Sequence, residues 1–132
     1  MKEEYGRDWF DEDGPLYPIE LALYKDRAIL TIDSSGTGLH KRGYRELSVT
    51  APIQETIAAG MVYLSRWDQD RILIDPFCGS GTIPIETALM GRNIAPGLNR
   101  NFDAENWSRI SSKLWTEARE QARDLINRDI EP

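Results

Sequence analysis

The apolar residues near the start of the chain form two short runs separated by charged residues. Residues 16–24 and 28–33 are rich in leucine, isoleucine and alanine, and Lys25-Asp26-Arg27 lies between them. Two strand-like runs joined by a short polar segment predict an antiparallel β-hairpin. The residues before it, 1–14, carry several carboxylates without a regular period, and we interpret them as a mobile or lightly docked leader.

Apolar residues further along the chain recur at helical spacing in three stretches. The spacing predicts helices from Pro52 to about Trp67, from about Ile83 to Gly91, and across 107–126, with a glycine- and proline-rich loop before the last. Proline suits the first position of a helix. The expected inner faces are Ile53, Ile57, Met61 and Leu64; then Ile85, Ala88 and Leu89; then Trp107, Ile110, Leu114, Ala118, Ala122, Leu125 and Ile126.

A predicted strand and a glycine-rich turn separate the first two helices. Ile72-Leu73-Ile74 suits a central strand covered on both faces, and Asp75-Pro76 ends it because proline cannot donate to a ladder. Gly79 and Gly81 permit positive backbone dihedrals and close approach of a ligand to the main chain. We expect Ser80 or Thr82 to cap the following helix, whose first amides lack intrahelical partners. A ligand at this turn would meet free amides.

Three classes of glycine loop compete for this segment. A phosphate-binding P-loop needs a lysine directly after its last glycine, where this chain has Thr82 and Ile83. A dinucleotide fingerprint needs a third glycine, where this chain has Pro84, and it begins nearer the strand end. The loop that binds S-adenosylmethionine has an acidic residue at the strand end, where a carboxylate complements the ammonium and sulfonium charges. Asp75 fits that third class.

The segment from Asp75 to Thr82 closely resembles the first motif of the Rossmann-like methyltransferases. Residues 33–45 and 51–59 resemble the region between a THUMP RNA-binding domain and the catalytic domain in bacterial ribosomal RNA guanine-N2 methyltransferases. Proteins of this family are also described as adenine-specific DNA methylases. The likeness continues through residues 93–107 and covers the chain from about Leu16 to its end.

The resemblance implies S-adenosylmethionine as cofactor and ribosomal RNA as the partner of the full-length parent, with methyl transfer to an exocyclic amine of a base. It assigns no catalytic residue and no metal. The RNA contacts it suggests form a basic patch around Tyr44, namely Lys41, Arg42 and Arg45. The cofactor contacts it implies are Asp75, Pro76, Phe77, Cys78, Gly79, Gly81 and Thr82, with Pro52 and Thr56 in the wall formed by the preceding helix.

Two elements of such enzymes are absent from this sequence. One is the acidic residue that ends the second strand and holds the cofactor ribose, and the other is an Asn-Pro-Pro-Tyr-like tetrapeptide that grips the target amine. The expected fold class is therefore α/β: the truncated N-terminal part of a Rossmann-like methyltransferase domain with a preceding β-hairpin. We divide it into a leader (1–15), a hairpin with a basic linker (16–50), and a helix-strand-helix-helix portion (51–132).

Composition and charge limit the number of domains, the binding partners and the cellular compartment that we expect. The 132 residues, 40% hydrophobic and 29% charged, suit one domain with a modest core. A formal charge of −6 argues against this segment gripping nucleic acid by itself. A single cysteine cannot form an internal disulfide, and the chain starts without a signal-like apolar stretch, so we expect a reducing cytoplasm.

Several residues have a plainer interpretation beside the functional one. Cys78 suits a loop that needs a small side chain better than it suits a nucleophile, which requires a basic neighbour. His40 is the only histidine, so a zinc site or a serine triad is nearly excluded. Glu55 and Glu86 either bond cofactor or backbone, or are solvated or capping carboxylates. Trp107 and Trp115 either stack on a base or pack in the core, and the apolar stripe favours packing for the first.

Two functional classes remain open at this point. One is a segment of an RNA methyltransferase that is inactive alone; the other is a noncatalytic nucleic-acid-binding or scaffolding module that keeps the loop. The predicted strand at 71–75 also needs a neighbour, because an isolated strand leaves its backbone groups unpaired. That neighbour is a second copy of the chain, the hairpin, or the remainder of the enzyme.

Overall fold

A computed structural model describes residue 6 and residues 12–45 and 51–130 of the chain. Most of the expected leader, residues 46–50 of the linker and the last two residues lie outside this described part. Within it, none of the helices is long and apolar enough to cross a bilayer.

The hairpin is formed as predicted. Strands β1 (Ile19–Tyr24) and β2 (Arg27–Ile32) pair antiparallel, in a register that runs from Ile19 opposite Ile32 to Tyr24 opposite Arg27. Lys25 and Asp26 turn the chain with φ of 44° and 58°, the positive values that a two-residue turn needs to match the twist of its strands. Every residue of both strands is exposed, so the hairpin projects from the rest of the described chain.

Helix α1 spans Glu55–Leu64 and is shorter than predicted. It begins at Glu55, directly after Gln54, and not at Pro52 as predicted. The predicted inner face is also wrong, since Ile57, Met61 and Leu64 are exposed, whereas Glu55, Ala58 and Val62 are buried against the next helix. The most apolar side of α1 is therefore exposed, and the side packed in the described chain combines a carboxylate with two small or medium apolar residues.

Helix α2 spans Thr82–Gly91 and ends at the predicted glycine. The residue that precedes it is Gly81 in a left-handed conformation, and no side chain caps the helix, so the expected cap by Ser80 or Thr82 is wrong. The buried side chains of α2 are Thr82, Glu86 and Thr87 rather than the apolar residues proposed for its inner face.

The last helical region is divided in two. A 3-10 helix at Asp103–Asn106 precedes helix α3, which spans Ser112–Asp124 and is capped by the Ser111 hydroxyl, an acceptor from the Lys113 amide. Trp107, predicted to lie in this helix, therefore lies outside α3; its ring stacks on Tyr17 with centroids 5.0 Å apart. Trp115 stacks on Phe102 at 5.6 Å, so the structure uses both tryptophans for packing.

The segment predicted as a central strand pairs with nothing in the described chain. The two-stranded hairpin is the sheet that the described residues form, and residues 71–75 have no place in its ladder. Ile72 is 89% exposed and Ile74 is 81% exposed. Pairing of this segment with the hairpin is therefore not formed in this structure, because β1 and β2 pair only with each other in the described chain.

Candidate cofactor-binding site

The turn between Asp75 and Gly81 is built from two local hydrogen bonds. The Phe77 amide donates to Asp75 Oδ1 at 3.1 Å, and the Gly81 amide donates to the Cys78 carbonyl at 2.8 Å. Gly79 and Gly81 have φ of 55° and 73°, the left-handed values that favour glycine. The chain therefore reverses at the two glycines as the sequence predicts, and Asp75 is fixed at the base of the turn.

The turn leaves both space and hydrogen-bond donors on its outer side. A Cβ added to Gly79 would meet no atom within 4 Å. Among the described residues, the amides of Gly79, Ser80, Thr82 and Ile83 have no hydrogen-bond acceptor. Phe77 is 92% exposed beside them. Unpaired amides at the start of a helix, with a glycine surface open above them, can receive the polar groups of a bound nucleoside.

Arg45 ties the first residue of α2 to the start of α1. Its Nη2 donates to Thr82 Oγ1 at 2.8 Å and to the Ile53 carbonyl at 3.4 Å, and its Nη1 lies 3.3 Å from Glu55 Oε1. Thr82 and Glu55 are both buried. The Thr82 hydroxyl is in turn 3.1 Å from Ser80 Oγ, inside the glycine turn.

A second group of contacts lies one helical turn further along α2. Glu86 is buried, and its carboxylate accepts from the Tyr44 hydroxyl at 2.9 Å and from Arg42 Nη2 at 3.3 Å. Burial raises the pKa of the Tyr44 hydroxyl well above its usual range, and the hydrogen bond to Glu86 and the charges of Glu86 and Glu55 raise it further. Tyr44 therefore stays protonated and remains a donor. The interpretation of Glu55 and Glu86 as solvated carboxylates is wrong, because both are buried partners of arginine.

Arg100 holds the segment that carries these basic residues. Its guanidinium is buried and donates to the carbonyls of Gly38 (3.0 Å), Lys41 (3.3 Å) and Ser35 (3.1 Å), and also to that of Thr37. Sequence reasoning missed this residue. One feature of the sequence could have identified it: Arg100 lies in a loop rich in glycine, proline and asparagine. An arginine has five N–H donors, so it can bind several carbonyl groups that have no partner in a helix or strand.

The other predicted site residues lie around the glycine turn and the contacts of Arg45. Pro52 is half-buried and lines a concavity of about 530 Å³ that Lys41, Arg42 and Arg45 also line. Thr56, Pro76 and Cys78 are exposed. Lys41 is exposed as well, whereas Arg42 and Arg45 are engaged with Glu86 and Glu55. The structure thus brings the cofactor and RNA candidates to neighbouring surfaces.

Comparisons with known proteins give the family. The model of UPF0020, the RMKL-like methyltransferase domain, matches residues 42–131. The chain is 55% identical over 122 residues to the Bacillus subtilis protein named "Putative RNA methyltransferase YpsC", covering 92% of this chain and 32% of that protein. It is 41% identical over 127 residues to "Ribosomal RNA large subunit methyltransferase K/L" of Vibrio campbellii, covering 89% of this chain and 18% of that protein.

Solved structures resemble the chain over almost its whole length. One is titled as a predicted N6-adenine-specific DNA methylase from Listeria monocytogenes; its TM-score is 0.91 at 52% identity, over 98% of this chain and 34% of that one. Another is titled "SMU.472, a putative methyltransferase complexed with SAH"; its TM-score is 0.82 at 46% identity, over 90% of this chain and 31% of that one.

This chain spans 18–34% of the length of those relatives and solved structures. The high TM-scores confirm the expected fold class, a hairpin followed by part of an α/β methyltransferase domain. The family model alone matches more than half of the residues, and it includes Arg42 and Arg45, the glycine turn and helices α1 to α3. The chain belongs to the RMKL-like methyltransferase domain family.

Proposed function

We propose that this chain forms the cofactor-loop portion of an S-adenosylmethionine-dependent RNA methyltransferase domain. The observation that carries the proposal is the turn at Gly79 and Gly81, which combines open space with amides that have no acceptor among the described residues. The relatives named as RNA methyltransferases and the solved relative titled as a complex with SAH support both the reaction class and the cofactor.

Asp75 is the residue that gives the turn its charge preference. One carboxylate oxygen accepts from the Phe77 amide, and the other has no hydrogen bond within the described part of the chain. A carboxylate at this place attracts the ammonium of the methionine moiety and disfavours a phosphate. We propose that Asp75, Gly79, Gly81 and Thr82 contact the cofactor directly.

The remaining proposed contacts surround these four. Pro76, Phe77 and Cys78 form the exposed outer side of the turn, and Pro52 and Thr56 form the wall at the start of α1. S-adenosylmethionine supplies an activated methyl group on its sulfonium. The chain's own contribution is to hold that group and orient it, which is how proteins promote reactions whose leaving group is already activated.

The acceptor we propose is an exocyclic amine of a ribosomal RNA base, with guanine N2 as the specific target. Lys41 is the best placed of the three RNA candidates, because it is exposed, while the Arg42 and Arg45 guanidinium groups also bind carboxylates. Lysine at the surface meets phosphate as a mobile point charge. A ribosomal RNA substrate implies action in the cytoplasm.

We expect the 132-residue chain to bind cofactor weakly and to transfer no methyl group to ribosomal RNA. The sequence lacks the acidic residue expected to hold the ribose, and a hydrogen bond to a charged group is worth about 1.5–3 kcal/mol, or one to two decades of affinity. Methyl transfer is measured with radiolabelled donor and purified ribosomal RNA. Sustained turnover by rigorously purified chain would contradict this expectation.

The cofactor site itself is tested by titrating the ¹⁵N-labelled chain with S-adenosylhomocysteine and following amide signals. We expect the Gly79 and Gly81 signals to move with millimolar ligand and the shifts to disappear in Gly79→Val, whose side chain fills the open space. Asp75→Ala should weaken binding about tenfold through the lost charge interaction. Gly6→Val is the matched control, because Gly6 also has a positive φ, 65°, and a Cβ on it also meets no atom within 4 Å, but it lies far from the turn in sequence.

Two outcomes would contradict the proposal. One is a wild-type titration that leaves the signals of residues 75–83 unmoved at saturating ligand. The other is an equal loss of binding in Gly6→Val and Gly79→Val. If RNA binds and the ligand does not, the chain is instead the noncatalytic nucleic-acid-binding module that the sequence left open.

A further inference from the structure

We propose that Arg45 is a positioning residue for the glycine turn and that its guanidinium acts on the cofactor site through Thr82. The inference rests on the proposed function and deepens it. It gives a specific task to a side chain that sequence alone places among the RNA-contacting basic residues.

The contacts form a continuous path from α1 into the turn. Glu55 Oε1 lies 3.3 Å from Arg45 Nη1, and Arg45 Nη2 donates to Thr82 Oγ1 at 2.8 Å. Because Thr82 Oγ1 accepts from Arg45, its own proton is available for Ser80 Oγ at 3.1 Å. Ser80 lies between the two glycines, so the path ends inside the turn.

Burial makes this path costly to break. Thr82 is 1% exposed and Glu55 is 4% exposed, while the Arg45 side chain is 24% exposed. A carboxylate buried in the first turn of α1 requires a cation, and removing one partner of a buried pair leaves the other charge unsatisfied. Arg45 therefore has little freedom to turn outward toward a phosphate without releasing Glu55 and Thr82.

The neighbouring contacts hold the same segment at a second point. Arg42 and Tyr44 bind Glu86, which lies one helical turn after Thr82 on the same helix. The segment 42–45 thus contacts α2 at two residues, Thr82 and Glu86, and contacts α1 at Glu55. Since the turn connects directly to Thr82, these attachments fix where its free amides point. A site held in advance in its binding geometry loses less entropy when the ligand binds.

Arginine is the side chain that this arrangement requires. The two Nη atoms reach three acceptors that belong to three different residues, Thr82, Ile53 and Glu55. A lysine carries three donors on one nitrogen and cannot span the same separation with a planar fork. We therefore expect Arg45→Lys to keep the charge and lose the positioning.

The test uses Arg45→Met and Arg45→Lys in the ¹⁵N-labelled chain, with no ligand present at first. We expect the Gly79, Ser80 and Gly81 amide signals to shift or broaden in both variants. On adding S-adenosylhomocysteine we expect affinity to fall about tenfold, equivalent to about 1.4 kcal/mol. Lys113→Met is the control. It also removes a paired cation, whose Nζ lies 3.4 Å from Glu117 on the exposed surface of α3. Among the described residues Lys113 makes no ion pair with Arg100, the segment 42–45 or the turn, so the turn's signals and the affinity should not change.

A threonine pair separates positioning from general stability. Thr82→Val removes the hydroxyl that accepts from Arg45 and preserves the shape, whereas Thr82→Ser keeps the hydroxyl. If Arg45 acts through Thr82, the effects of Arg45→Met and Thr82→Val on the turn's signals are not additive in the double variant. In the ligand-free chain, Thr82→Ser keeps the hydroxyl contacts with Arg45 and Ser80, so we expect it to shift the turn's signals less than Thr82→Val does. This pair also decides the question if Arg45→Met fails to fold.

Unchanged turn signals in Arg45→Met, or additive effects in the double variant, would overturn the inference. If Arg45→Lys lowers RNA affinity and leaves the turn signals unchanged, Arg45 is an RNA contact, as the sequence predicts, and not a positioning residue. Failure of the proposed function looks different: the wild type would not bind S-adenosylhomocysteine, yet the ligand-free signals would still respond to Arg45→Met.

Discussion

Residues 35–45 and residues 71–81 both lie outside helices and strands, but their surroundings are opposite. The first segment gives four carbonyl groups to the buried Arg100 guanidinium and three side chains to buried partners on α1 and α2. The second exposes Ile72, Ile74 and Phe77 by 81–92% and leaves amides without acceptors in the described chain. Irregular backbone is thus either fixed by side chains or left available for binding, and only contacts distinguish the two.

The largest change in stability that this contrast predicts is the one caused by replacing Arg100. Arg100→Ala removes the donor to four backbone carbonyls, and leaving such groups unsatisfied should cost about 2–4 kcal/mol of unfolding free energy. Arg71→Ala is the control from the open segment. Its side chain is 66% exposed and pairs with Asp68 at the surface, so we expect less than about 0.5 kcal/mol. Urea denaturation measures both, and equal losses would contradict the contrast.

A pair of glycine substitutions gives the next largest effect. Gly43 and Gly79 both have positive φ, 89° and 55°, so alanine is strained at either place, and more at Gly43, whose φ lies outside the left-handed region that L residues occupy. A Cβ on Gly43 would lie 2.3 Å from the Asn99 carbonyl oxygen, while one on Gly79 meets no atom within 4 Å. We expect Gly43→Ala to destabilise the chain by about 1–3 kcal/mol more than Gly79→Ala. Thermal unfolding of both variants tests this, and a reversed order would show that the first segment is not closely docked.

The smallest effect on stability is expected for the ion pair of Arg119 with Glu105, whose contribution should depend on pH. Arg119 binds both carboxylate oxygens of Glu105 and the Arg100 carbonyl, and its hydrogen bonds hold the pKa of Glu105 below its usual value. Because the folded-state pKa is lowered, this stabilisation is present above the unfolded-state pKa, about 4.5, and is lost as pH falls through the folded-state value. Glu105→Gln should cost about 1–2 kcal/mol at pH 7 and much less at pH 3.

Denaturation of wild type and Glu105→Gln across pH 3 to 7 measures that difference. Asp75→Asn, in the open turn, is the matched carboxylate control, and we expect it to change stability by less than about 0.5 kcal/mol. A difference between wild type and Glu105→Gln that does not shrink on acidification would mean that the pair with Arg119 contributes nothing through its charge.

Short-range features were the ones predictable from sequence. The hairpin follows from two apolar runs around a polar turn, the end of α2 from Gly91, and the reversal at 75–81 from its glycines. Each depends on residues that are adjacent along the chain, where backbone preferences act directly. The cofactor candidates at Asp75, Gly79 and Gly81 come from the same local signals and remain predictions.

The inner faces of the helices and the arginine contacts could not be predicted in the same way. The most apolar side of α1 is exposed, because nothing in the described chain packs against it, so hydrophobic spacing indicates the wrong face. Arg45 and Thr82 are 37 positions apart, and Arg42 and Glu86 are 44 apart. A charge pattern alone does not distinguish a solvated arginine from one that pairs with a buried carboxylate.

The Arg100 contacts also bear on the order in which the molecule assembles. They join positions 59–65 residues apart, a separation whose closure loses more chain entropy than the short loops within the hairpin or within any helix. Local elements form in microseconds, and contacts between distant positions slow the folding of a domain. Residues 35–45 should accordingly dock in a late step of refolding, after α1 and α2 have formed. The glycine turn acquires its final orientation only then.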